Sequence, residues 1–105
     1  MAKLTSNPGH TVGTSFHGHS IYCSYNDLVQ ILGEPQYKDN TGEDKTNYEW
    51  ECVTDSGDVV FAIYDWKEYH QISKDEKIEW NIGAHSNMKS IDAFCEISRM
   101  LGHME

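Results

Sequence analysis

The residues best placed to do chemistry sit in one short stretch, EWNIGAHSNMKSIDAF (positions 79–94). Ile78, Trp80 and Ile82 alternate with polar residues, the period of a strand. Met88, Ile91, Phe94, Cys95 and Leu101 follow the period of a helix. Gly83, Ala84, His85, Ser86 and Asn87 lie between them. A helix N-terminus offers unpaired N–H groups and partial positive charge, and a glycine beside it lets an anion approach the backbone. Gly83, His85, Ser86 and Asn87, with Lys89 one turn in, therefore describe a seat for a phosphate or carboxylate. The same residues also serve a purely structural reading. Ser86 or Asn87 caps the helix, and Gly83 permits the turn.

Aromatic side chains are the second resource. Trp50, Tyr64, Trp66, Tyr69 and Trp80 fall on or beside three central strand patterns. Trp50 and Trp80 share their faces with apolar neighbours, which marks them as core. Trp66, Lys67 and Tyr69 stand where a strand runs into a loop, the usual place for binding residues. A base stacked on such a ring contributes about 1–3 kcal/mol in single-strand binders. Asp65, inside the apolar run, is the one acid whose position suggests burial, and a hydrogen-bonded structural role fits it better than a shifted base. His17, His19 and Cys23 share a strand parity, but zinc needs three or four converging ligands and the other histidines and thiols lack paired spacing. Neither a metal nor a cofactor is expected. No G-x-S-x-G, H-E-x-x-H or Cys–His signature is present, so no enzyme is expected either.

These groups must be held by a small scaffold. Residues 1–13 have no periodicity and read as a flexible arm, leaving 14–105 as a single domain. TSFHGHSIYC (14–23) reads as a strand weakened by Gly18. Ser24 and Asp27 then form an S-x-x-D capping box before the stripe Leu28, Ile31 and Leu32, with Gly33 and Pro35 closing a short helix. The loop 38–47 precedes a strand in which Tyr48, Trp50 and Cys52 alternate with Glu49 and Glu51, the acids forming its solvent face. DSGD (55–58) turns the chain into VVFAIYDW, apolar at both parities and hence a central strand. A charged loop then leads to the strand KIEWNI. A helix from Asn87 to about Leu101 closes the order β-α-β-β-β-α. The expectation is an α+β domain, a mostly antiparallel sheet of about four strands with two helices packed on it.

Composition bounds the function. Of 17 acids and 8 bases, net −9, the segment from Glu34 to Glu79 holds 13 acids and 5 bases, so −8 of the charge lies there. Arg99 is the single arginine. Such a chain has no basic face for phosphates, which argues against direct binding of nucleic acid and leaves an acidic partner surface open. No apolar run approaches the ~20 residues of a membrane helix, and no signal-peptide core follows Met1. Three widely spaced cysteines fit a reducing compartment, each acting as a small buried hydrophobe, so the expected location is cytoplasmic.

The assembled pattern resembles a group of small accessory proteins encoded by tailed phages. The shared run is a short G-T-containing strand, SYNDLVQILGEP, an E-W strand, FAIYDWK and W-x-I-G, covering roughly residues 13–100. That group usually reads W-H-I-G-G at the last motif. Here Trp80-Asn81-Ile82-Gly83-Ala84 puts the fixed amide of Asn81 where the group has a titratable histidine. The resemblance implies a protein made during infection that acts on host immunity in the host cytoplasm. The first expected function is a non-enzymatic sponge sequestering a cyclic nucleotide immune signal, a small phosphorylated ligand. Its base would stack on Trp66 or Tyr69, and its phosphates would sit at Gly83, Ser86, Lys67 and Lys89, with His85 and Asn81 beside them. A second subunit would complete the pocket, making a homo-oligomer. The alternative is an acidic interaction inhibitor of a host defence protein, a nucleic-acid mimic of anti-restriction or anti-CRISPR type.

Overall fold

The computed structural model of the chain describes residues 2–4, 14–38, 46–66 and 72–102. Within them the order is β1 (Lys3–Leu4), β2 (Ser15–Ser24), α1 (Tyr25–Leu32), β3 (Tyr37–Lys38), β4 (Tyr48–Val53), β5 (Val60–Tyr64), β6 (Lys77–Ala84) and α2 (Asn87–Gly102). The fold is α+β, with every strand pair antiparallel. The four expected strands and two helices are present. Two two-residue strands, β1 and β3, are added, both pairing with β4. The sheet order is β1-β4-β5-β6-β2, so β2 and β1 lie at opposite edges. Ala2, which is buried, and Lys3–Leu4 belong to the segment expected as an arm; residues 1 and 5–13 of that segment lie outside the described residues, as do 39–45, 67–71 and 103–105.

Register sorts the side chains by face. Trp50 pairs Ile63, Cys52 pairs Phe61, Ile63 pairs Ile82 and Ile21 pairs Trp80, so these residues share one surface. Both helices pack on it, burying Tyr25, Leu28 and Leu32 of α1 and Ala93, Ile97 and Met100 of α2. Trp50 and Trp80 meet edge to face at 5.3 Å. Each indole N–H is satisfied inside the core, Trp50 by the Gly33 carbonyl and Trp80 by the Cys23 carbonyl, both at 2.9 Å. Buried tryptophans need such partners, and these two tie the sheet to both ends of α1.

The local signals of α1 are realised. Ser24 Oγ accepts from the Asp27 N–H while the Asp27 carboxylate accepts from the Ser24 N–H, and Gly33 N–H closes on the Val29 carbonyl at 2.8 Å. The weakness read in β2 is a bulge. Phe16 pairs Gly83 and Ser20 pairs Asn81, so His17-Gly18-His19 is accommodated opposite Ile82. Gly18 takes φ +94°, a conformation open to glycine and costly for other residues. Cys23 and Cys52 are buried as expected, but Cys95 is exposed, because it lies on the flank of α2 away from the buried stripe. Among the described residues no helix is long and apolar enough to cross a membrane.

Candidate functional site

The sheet face opposite the helices gathers a second set of residues. Glu49 pairs Tyr64, Glu51 pairs Ala62, Tyr64 pairs Asn81 and Ala62 pairs Gly83, so all six look away from the core. A trough of about 400 Å³ runs over four of them, with Ala62 as part of its floor, Glu49 and Glu51 along one side, and Tyr64, with Trp66, Thr14 and Thr46, as walls. Tyr64 and Trp66 meet at 85° with centroids 6.2 Å apart. Trp66 is 48% exposed. Asn81 lies directly across from Tyr64 in the register, so its amide stands beside the phenol.

Gly83 lies under the Tyr64 wall of this trough, in a role that differs from the one expected. It is a strand residue on the helix-free face. A Cβ there would lie 3.3 Å from Tyr64 Cε1 and 3.4 Å from Thr14 Oγ1. Its missing side chain is what lets the Tyr64 ring lie across β6.

Electrostatics define what the trough accepts. Glu49 and Glu51 are neighbours on one strand face, roughly 7 Å apart along β4. Burial, and secondarily the Glu51 charge, push the Glu49 carboxyl above its ordinary value. Burial and then Glu49 push the Tyr64 phenol up, with the neighbouring Asn81 amide opposing them. A cation placed between these acids would relieve both effects. It would also meet the ring faces, which attract ammonium and guanidinium groups within about 6 Å. A phosphate would meet two carboxylates.

The remaining expected site residues lie elsewhere. Ser86 is the cap of α2, its Oγ accepting from the Lys89 N–H at 3.2 Å and its carbonyl from the Ser90 N–H at 3.0 Å. His85 and Lys89 are exposed beside it. Since Phe61 pairs Ala84 and Tyr64 pairs Asn81, Trp66 and Ser86 extend beyond opposite ends of the β5–β6 ladder. At ~3.3 Å per residue that separates their backbones by about 20 Å. Trp66, Asn81 and Gly83 thus each adjoin Tyr64 on the helix-free face, whereas His85, Ser86 and Lys89 form a separate group. Lys67 and Tyr69 fall outside the described residues.

Other candidates are committed to structure. Asp65 is fully buried and accepts from Asn47 N–H (2.8 Å), Tyr48 N–H (2.9 Å) and Asn47 Nδ2 (3.0 Å), tying the end of β5 to the start of β4. His17 Nε2 donates to the Ala84 carbonyl at 3.1 Å, and His19 Nδ1 bonds Ser90 Oγ at 3.0 Å. Sequence reasoning passed over Glu49, Glu51, Tyr64, Thr14 and Thr46 as a group. The usable signal was parity, since Tyr64 and Trp66 share one strand face, as do Glu49 and Glu51. The missing link was the register that sets one pair beside the other.

Comparison with family models, with curated proteins and with solved structures finds no match for this chain.

Proposed function

We propose that the chain is a non-enzymatic interaction inhibitor whose helix-free sheet face captures basic side chains of a partner protein. The observation that carries this reading is the register placing Glu49 and Glu51 against Tyr64 and Ala62, with Trp66 adjoining. Carboxylates that accept from a guanidinium, next to ring faces that attract it, suit arginine above all. The net charge of −9 would steer such a partner from a distance. The resemblance to tailed-phage accessory proteins supplies the setting. There the partner is a host defence protein in the host cytoplasm, and the acids stand where nucleic-acid phosphates would enter its basic groove.

The test is fluorescence anisotropy with a labelled arginine-rich peptide, comparing the wild type with Glu49→Gln/Glu51→Gln. An Asp58→Asn/Asp92→Asn variant serves as a control of equal charge change at exposed positions. Loss of two surface charge contacts should weaken binding about tenfold in the first variant. The control should stay near wild type. Equal weakening in both would reduce the effect to net charge and remove the site.

Nucleotide capture is the second reading, favoured by the exposed Trp66 ring beside Tyr64. Its phosphates would need a seat other than Ser86 and Lys89, at the far end of the ladder. Native mass spectrometry with a panel of cyclic nucleotides separates the two. A tight adduct that survives Glu49→Gln/Glu51→Gln but not Trp66→Ala would move the assignment to capture of a signal.

A further inference from the structure

We propose that the chain forms a two-fold dimer by antiparallel pairing of β2 with β2 of a second copy. Among the described residues β2 pairs β6 on one side and no strand on the other. Edge strands of monomers are usually guarded by charge, proline or brevity. SFHGHSIYCS is ten residues long with no Lys, Arg, Asp, Glu or Pro. In a chain of net charge −9, this edge is a place where two copies can approach without setting carboxylate against carboxylate. Its regular half, Ser20–Ser24, follows the bulge and carries Tyr22, which is 71% exposed.

The helix above the edge fits the same partner. Met88, Ile91, Phe94, Ser98 and Leu101 recur at helical spacing as an uncharged stripe on α2. Phe94, Ser98 and Leu101 border a groove of about 260 Å³ whose other wall is Ser20, Ile21 and Tyr22. Met88 is 76% exposed and Ile91 40%. The charged residues Asp92, Glu96 and Arg99 occupy the other flank, over Thr54 and Asp58.

The dimensions close for a second copy. α2 packs chiefly over β2 and β6. With strands about 4.8 Å apart, a helix axis centred over β2 and β6 would lie about 2.4 Å inside β2, and a two-fold axis through a β2–β2 pair lies about 2.4 Å outside it. The two α2 axes would then be about 10 Å apart, the upper end of ordinary helix packing. One operation therefore pairs the strand edges and brings the two α2 stripes together, as a self-complementary interface requires.

Analytical ultracentrifugation of the full chain tests this, with circular dichroism as the check on folding. The wild type should sediment at twice 12.0 kDa at micromolar concentration. Tyr22→Glu/Ile91→Glu should sediment as a folded single chain. Ser98→Lys, a milder second variant, should raise the dimer dissociation constant at least tenfold. A single-chain mass for the wild type at about 100 μM overturns the proposal. So does a dimer that persists unchanged in both variants.

Discussion

Two buried or partly buried carboxylates, Asp65 just past the end of β5 and Glu49 on β4, have opposite meanings. Asp65 is surrounded by N–H donors and serves the fold. Glu49 is held beside Glu51 in a place that disfavours its charge. The first role was legible, because a single acid within the apolar run FAIYDW must be satisfied if that run is central. The second was not, because alternation with Tyr48 and Trp50 shows only that Glu49 faces away from the core. The raised Glu49 pKa fixes a direction for pH. The folded state holds this proton more tightly than the unfolded chain, so its contribution is fully present below the ordinary glutamate value of 4.5. It is lost as pH rises through the folded-state value. Glu49→Gln removes that loss. The urea midpoint of the variant should exceed that of the wild type at pH 7, and the difference should shrink toward pH 4. A midpoint difference that does not change with pH would show that the carboxyl is not destabilised by its surroundings. A residue that costs stability in the free protein is consistent with one kept for binding.

At the scale of elements, helix ends were legible and short edge strands were not. The ends of α1 are set by local side-chain chemistry within about a turn, which sequence displays directly. β1 and β3 are each two residues long and exist only because β4 offers them an edge, a contact between distant segments. The bulge in β2 lies between these cases. Gly18 and its flanking histidines signalled an irregular strand, and the register shift against β6 supplies the reason. The joint between β6 and α2 was read two ways, and Ser86 occupies the capping role. Ser24→Ala and Ser86→Ala should each lower stability by about 1 kcal/mol, measured by chemical denaturation. Capture of the basic peptide should be unchanged in Ser86→Ala, because that cap lies at the far end of the ladder from Trp66. Peptide binding lost in Ser86→Ala with its helix intact would put the capping residue in the site after all.

Over the whole molecule, the distribution of charge separates two surfaces that answer to salt with opposite sign. The acids of the segment 34–79 include Glu49 and Glu51 on the helix-free face, while β2 and the stripe on α2 carry none. Binding of a basic partner to the first surface rests on attraction between exposed charges, which weakens as the screening length falls from about 30 Å at 0.01 M to about 8 Å at 0.15 M. Pairing of two copies at the second brings net charges of −9 together, so repulsion opposes it and salt relieves that repulsion. Raising NaCl from about 0.02 M to 0.5 M should therefore weaken peptide capture at least tenfold while tightening self-association. Sedimentation velocity and anisotropy across one salt series read both responses on the same samples. Parallel weakening of the two would mean that the dimer is held by ion pairs, which the uncharged β2 edge does not offer. Parallel strengthening would mean that the peptide is held by apolar contact, and the carboxylates of β4 would lose their place in the function.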